Sequence, residues 1–344
     1  MICLFPTYAS RNPSDQRWQV RVAGMLTKSL PPESRRRSMA MGLLRRVLEL
    51  DAEQLASTIF QTRANAFLFD RLPRHTVQIK MGHEYRETCV TNRIGHFETT
   101  FDLDDEQCAQ LCATSDSFNR SISYEASLDD SCTTSVLGRV HIVEDEGVSV
   151  ISDIDDTVKV SNVRDRRELL ANTLLRTFRA VEGMPDLYRK WEAAGVAFHY
   201  VSSSPWQLSN CLREFLNDSE IPLGSLHLKL FRLQDSTPLG RLTSRKRSKR
   251  RTIERILADF PKRRFLLVGD SGERDPELYT AIARSHADNI FGVAIRQLPD
   301  ELKMLRRQNK RLQRLAAKLP AGCMKVFSEA SEIHDMLFLS TAAR

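Results

Sequence analysis

From Gly147 onward, short apolar runs alternate with amphipathic ones: "VSVISD", "MPDLYRKWEAAG", "VAFHYVS", "WQLSNCLREFLND", "TIERILADF", "RFLLVGD", "DPELYTAIARSH" and "NIFGVAIR". No other feature constrains the fold as much. Runs that are apolar throughout suit strands buried on both faces, and the helical patterns between them supply the crossovers that parallel strands require. The expected architecture is α/β, a Rossmann-like parallel sheet with helices on both faces. Ligands of such sheets gather at the carboxyl ends of the strands, where Asp153, Ser202 and Asp270 fall.

Upstream, the period changes. "RWQVRVAG", "HTVQIKMG", "GHFETTFDL", "RSISYEAS" and "GRVHIVE" alternate with period two, which predicts a small antiparallel, β-sandwich-like domain. A helix interrupts it at "SRRRSMAMGLLRRVLELD", where Met41, Leu44, Val47 and Leu48 share one side, and Asp51 with Gln54 can cap a second helix. The period switches between Glu144 and Gly147. With 344 residues, more than one domain usually holds, the expectation is a β-rich accessory domain at 1–146 and a catalytic domain at 147–344.

No run approaches the length of a membrane span, and "MICLFPTYAS" lacks the basic start of a signal peptide, so the cytoplasm is the expected compartment. Seven scattered cysteines, an odd number, give no disulfide framework. Cys108 and Cys112 stand at helical spacing without nearby histidines, which favours packing over zinc. His199, His227, Trp191 and Trp206 lie in apolar contexts and read as packing residues. The net charge of +7 admits an acidic partner: nucleic acid, anionic lipid or a phosphorylated substrate. Few aromatics interleave with the basic runs at 35–37, 241–251 and 303–318, and no nucleic-acid module appears, so nucleic acid is the least expected of the three.

The chemistry concentrates at "VSVISDIDDTVKVSNV", an apolar strand ending in Asp153, Asp155 and Asp156. Carboxylates this close repel one another unless a cation shares the site. In the pattern D-x-D-x-T one carboxylate can attack phosphorus while its neighbour moves a proton, with a divalent cation screening the pair. Asp156 has no role derivable from the pattern. Ser202 stands at a strand tip, while Ser204, ahead of Pro205 and Gln207, fits a helix N-cap. Asp270 ends "RFLLVGD" and suits a magnesium ligand. Asp275, before Pro276, fits both an N-cap and a group touching the metal or its waters. For the phosphoryl-binding cation, Lys249 is preferred from its expected place at a helix start; Lys246 and Lys229 compete.

These pieces together resemble the haloacid dehalogenase superfamily of phosphatases. More closely, "SDIDDTVKVSNV", "FRAVEGMPDLYRKW", "FHYVSSSPWQL", "LHLKLFRL" and "FLLVGDSGERDPELY" resemble the catalytic domain of actin patch protein 1-like phosphatidate phosphatases. The resemblance implies that Asp153 is the nucleophile and Asp155 the acid and base. It implies that Lys249, Ser202 and Thr157 engage the phosphoryl group, and that Asp153, Asp155, Asp270 and Asp275 surround Mg²⁺. The implied substrate is phosphatidate, met by a peripheral protein at an anionic membrane surface, where Arg245 to Arg251 is the best-placed basic run. The alternatives are a soluble phosphomonoester, or a catalytically silent lipid- or nucleic-acid-binding protein.

Overall fold

The computed structural model describes residues 1–82, 85–113, 120–128, 135–229, 238–299 and 302–337; the side chains of Val47, Ala113 and residues 238–247 lie outside that description. Two sheets organise the chain. The first contains β1 (Ile2–Phe5), β2 (Thr7–Arg11), β3 (Trp18–Ser29), β4 (Phe69–Arg71), β5 (Thr76–Met81), β6 (Tyr85–Val90), β7 (His96–Leu103), β8 (Cys112–Ala113), β9 (Ser121–Ser127) and β10 (Val136–Ile142). Helices α1 (Arg35–Leu48), α2 (Ala52–Ala56) and α3 (Thr58–Asn65) interrupt it after β3, and α4 (Asp105–Leu111) follows β7. Asp51 and Gln54 form a reciprocal capping box on α2, as their spacing predicts.

The twelve-residue β3 is the spine: β1 and β2 pair with one edge and β7 with the other. Its alternating burial, Trp18, Val20 and Val22 inward, builds the first core with Val77, Ile79, Phe97, Phe101 and Ile122. The expected antiparallel pairing needs one correction. β10 runs parallel to β2, with Val140 opposite Thr7 and Ile142 opposite Ala9; "MICLFPTYAS" is itself two strands, largely buried and without period-two alternation.

The second sheet contains β11 (Val148–Ser152), β12 (Ala197–Pro205), β13 (Ser225–Lys229), β14 (Arg264–Asp270), β15 (Ile290–Arg296) and β16 (Met324–Phe327), all parallel in the order β13-β12-β11-β14-β15-β16. Numbered along the chain this is the 3-2-1-4-5-6 order of a doubly wound sheet, whose order reverses between its first and fourth strands, β11 and β14. Its helices are α5 (Arg166–Leu174), α6 (Met184–Ala193), α7 (Ser209–Asp218), α8 (Pro238–Asp259), α9 (Asp275–Ser285) and α10 (Leu302–Ala316). Val150, Leu266 and Val268 bury one face against α6 and α7, while Ile151, Phe265 and Leu267 bury the other against α8, α9 and α10.

The chain crosses between the sheets at residues 143–147. Arg263 pins the crossing by donating to the carbonyls of Glu144 (2.7 Å), Glu146 and Val148 (2.5 Å) and to Ser149 Oγ (2.8 Å). The first sheet also docks on the edge of the second: Leu226 N–H donates to Pro6 O (2.9 Å), and Tyr8 Oη donates to Asp259 (2.6 Å). Tyr8 packs on the His199, His227 and Phe260 rings, and both histidines hydrogen-bond Ser225 Oγ. Trp206 lies between Phe5 and Phe69. On the far side the inserted helices cover α5: Phe60, Ala64 and Leu48 pack with Leu174, and Arg63 donates to the carbonyls of Thr173 (2.9 Å) and Arg176 (2.7 Å). Among the described residues no helix is long and apolar enough to cross a membrane.

Candidate active site

The two central strands end together. Asp153 follows β11 directly, its N–H donating to Val268 O of β14 (2.8 Å), and Asp270 closes β14. Asp275 opens α9. These three buried carboxylates offer oxygens within 4.8 Å of one another, the one such group of potential metal ligands among the described residues. Gly269 makes the approach possible: a Cβ there would stand 2.6 Å from Asp275 Oδ2.

Lys249 neutralises part of this charge. Its Nζ lies 2.8 Å from Asp153 Oδ1 and from both oxygens of Asp275. Burial alone would lower its pKa, yet the carboxylates of Asp153 and Asp275 hold it well above the ordinary value. The lysine reaches the site from the interior of α8, so the expected helix start at Lys249 is corrected: the helix begins at Pro238. Lys229 borders a small recess with Ser202 and Lys249, and the side chain of Lys246 lies outside the described residues.

Burial pushes the Asp153 carboxyl up, with Lys249 pulling against it. Burial, Asp275 and Glu273 push Asp270 up to about 8. Asp270 Oδ1 accepts N–H bonds from Gly272 (2.5 Å) and Glu273 (3.2 Å), whereas the buried Oδ2 has no hydrogen-bond partner. An orphaned carboxylate oxygen beside two further carboxylates, with no nitrogen or sulfur donor in the group, fits a hard divalent cation.

Asp155 faces another way. Its carboxylate pairs with Lys159 Nζ (2.8 Å) and accepts from Ser161 Oγ (2.7 Å), Ser202 Oγ (3.2 Å) and Ser204 Oγ (2.5 Å). Burial opposes its charge, but Lys159 and the hydroxyls hold it down to about 2. Its oxygens do not join the Asp153, Asp270 and Asp275 group. The D-x-D spacing therefore supplies two separate environments, one crowded with carboxylates and one lined by a lysine and serines.

A tight turn separates them. Thr157, Val158 and Lys159 all donate their N–H groups to Ile154 O, and Asp156 sits at φ 56° in the left-handed region. Asp156, without a role in the sequence, organises this turn: its carboxylate accepts the N–H groups of Ser161 (2.7 Å), Asn162 (2.8 Å) and Val163 (2.6 Å). Thr157 is fully buried, and its Oγ1 has no partner in the structure.

Two cap assignments are corrected. Ser204 continues β12 and donates to Asp155, because the helix after it starts with a 3-10 turn at Trp206 that no side chain caps. Asp275 is the first residue of α9, and its carboxylate binds Lys249 and caps nothing. Lys159 and Ser161 were not singled out at all; the signal available was a lysine between Val158 and Val160 directly after an acidic motif.

Residues 148–297 match the model of the phosphatidate phosphatase APP1 catalytic domain. The span runs from β11 through β15 and includes Asp153, Asp155, Lys249, Asp270 and Asp275. An uncharacterized protein of Schizosaccharomyces pombe is 33% identical over 189 residues, 52% of this chain and 31% of its own. Phosphatidate phosphatase APP1 of Saccharomyces cerevisiae is 37% identical over 154 residues, 44% of this chain and 26% of its own. The chain thus spans less than a third of the length of these curated relatives.

Proposed function

We propose that the chain is a Mg²⁺-dependent phosphatase of haloacid dehalogenase type that hydrolyses phosphatidate to diacylglycerol and inorganic phosphate through an aspartyl phosphate on Asp153. The observation that carries this is the buried Asp153 carboxylate at the switch point of the sheet, 2.8 Å from Lys249, inside the segment shared with the APP1 catalytic domain. Asp153, Asp270 and Asp275 would hold the cation, which supplies charge neutralisation for the phosphoryl oxygens.

Each residue has work to do. Asp153 attacks phosphorus in line, and Lys249 leaves Asp153 to bind a phosphoryl oxygen. Ser202 donates to the incoming phosphate, and Ser204 holds the Asp155 carboxylate. Asp155 rests ionised, so the proton for the departing alkoxide enters with the substrate: a phosphomonoester with a second pKa near 6 still carries one in its monoanion. Asp155 relays that proton, then accepts one from the water that cleaves the aspartyl phosphate. Lys159 holds Asp155 in place throughout.

Phosphate release from a panel of phosphatidate vesicles, lysophosphatidate, sugar phosphates and nucleotides, with Mg²⁺ and with chelator, tests the proposal. Phosphatidate is expected to lead, and only with the metal. Preference for a soluble ester would replace the substrate while keeping the chemistry; no release from any of them would reject the enzyme.

A further inference from the structure

Helix α1 turns one face inward, through Leu48, Met41 and Leu44, onto the cluster that contains Leu170 and Leu174 of α5. Its other face is open. Met39 and Leu43, one turn apart, are 76% and 62% exposed, and beside them a Cβ on Gly42 would meet nothing within 4 Å. Arg36 lies three residues before Met39 and Arg46 three after Leu43, so the four share one stripe: arginine, two apolar side chains, arginine. Arg35 and Arg45 stand beside it, also exposed. The helix has five arginines and no acidic residue. Asp70 pairs with Arg36 (2.5 Å) and Glu49 with Arg167 (2.6 Å), so Arg35, Arg45 and Arg46 carry the charge this face offers.

We propose that the Arg36, Met39, Leu43 and Arg46 face of α1 docks this protein on an anionic bilayer. An apolar pair bracketed by cations is the pattern of a helix lying in the headgroup plane, its apolar side chains at the acyl boundary and its arginines at lipid phosphates. Charge complementarity selects the lipid surface over a neutral partner. α1 packs on α5, Asn172 of α5 donates to Ser161 O (3.1 Å), and Ser161 Oγ donates to Asp155 (2.7 Å). Contacts thus join the docking helix to the turn that holds Asp155, with α5 between them. The placement rests on the lipid-substrate proposal only for its purpose, since attachment itself needs no phosphatidate.

The test uses the full chain with mixed phosphatidylcholine and phosphatidylserine vesicles, free of phosphatidate. Co-sedimentation is expected with these vesicles and not with phosphatidylcholine alone. Removing the apolar pair in Met39→Ser with Leu43→Ser is expected to weaken partitioning at least about tenfold. Arg45→Gln with Arg46→Gln is expected to cost about fivefold per charge, and added salt to mimic it. Leu43→Trp provides a gain-of-signal check, because Trp18, Trp191 and Trp206 are all buried: its emission is expected to shift blue with anionic vesicles. Unchanged melting temperatures establish that the variants fold. Binding that ignores these substitutions overturns the proposal. So does a self-associated chain that Met39→Ser with Leu43→Ser makes monomeric, because a second copy then covers the stripe. Hydrolysis of soluble esters alone, with vesicle binding intact, would remove the lipid substrate and leave the docking face standing.

Discussion

Replacing Lys159 with methionine leaves the Asp155 carboxylate among three hydroxyls without its cation. The ammonium is almost wholly buried and the carboxylate only 14% exposed, so solvent screens the pair little. Asp155 drops from an ordinary 3.8 to about 2 in the folded chain, and at about 1.4 kcal/mol per unit its surroundings favour the ionised form by roughly 2–3 kcal/mol. Removing one partner of a buried pair generally costs about 3–5 kcal/mol, and the hydroxyls of Ser161, Ser202 and Ser204 offset part of it. Lys159→Met is therefore expected to lower unfolding free energy at pH 7 by about 2–4 kcal/mol. The pH sign follows from linkage. A depressed carboxyl pKa contributes stability that is complete above the unfolded value and lost as pH falls through the folded one, so parent and variant converge between about pH 4 and 2. Urea denaturation at neutral and acidic pH measures this, with Asp155→Asn combined with Lys159→Met as the decisive third chain. The double variant no longer buries an unpaired charge and is expected to regain at least half the loss. A cost below about 1 kcal/mol at pH 7, or a double variant as weak as Lys159→Met, would refute the pairing argument.

Other substitutions probe the carboxylate cluster and the mouth. Asp153→Asn is expected to abolish phosphate release without unfolding the chain, checked by turnover and circular dichroism together, because an amide of nearly equal shape cannot attack phosphorus. Metal-free protein is expected to lose stability as pH rises from about 4 to 8, since the raised Asp270 and Asp153 carboxyls mean the folded chain binds protons the unfolded one releases; Asp270→Asn reduces that slope and leaves the Asp153 part, and Mg²⁺ raises the melting temperature most at the alkaline end. Ser204→Ala removes the 2.5 Å bond to Asp155 and is expected to slow esters with poor leaving groups by about tenfold while sparing aryl phosphates, read from rates across a leaving-group series.

Asp153 and Asp270 were legible in the sequence for the same reason: a parallel sheet sends the ends of neighbouring strands to one edge, and strand ends are marked by where an apolar run meets a charge; Lys249 was expected from a helix start that the structure moves back to Pro238. The inserted helix and the Asp51 cap were equally local signals. Asp275 and Ser204 carried true local signals that tertiary contacts overrode. A residue before proline reads as a cap until a buried lysine or carboxylate claims its side chain. Lys159 and Ser161 were hidden because their partner is set by a turn at Asp156 in the left-handed region, a conformation no spacing rule specifies for aspartate. The pairing of β10 with β2 was hidden too, since it joins strands more than a hundred residues apart.

The proposed chemistry begins at Asp153. Phosphatidate radiolabelled at phosphorus, mixed with the chain and Mg²⁺ and quenched in acid within a turnover, is expected to leave hydroxylamine-labile label on the peptide that carries Asp153. Asp153→Asn is expected to carry none. Steady phosphate release with no labelled peptide, or label and turnover that survive Asp153→Asn, would contradict the mechanism at its first step.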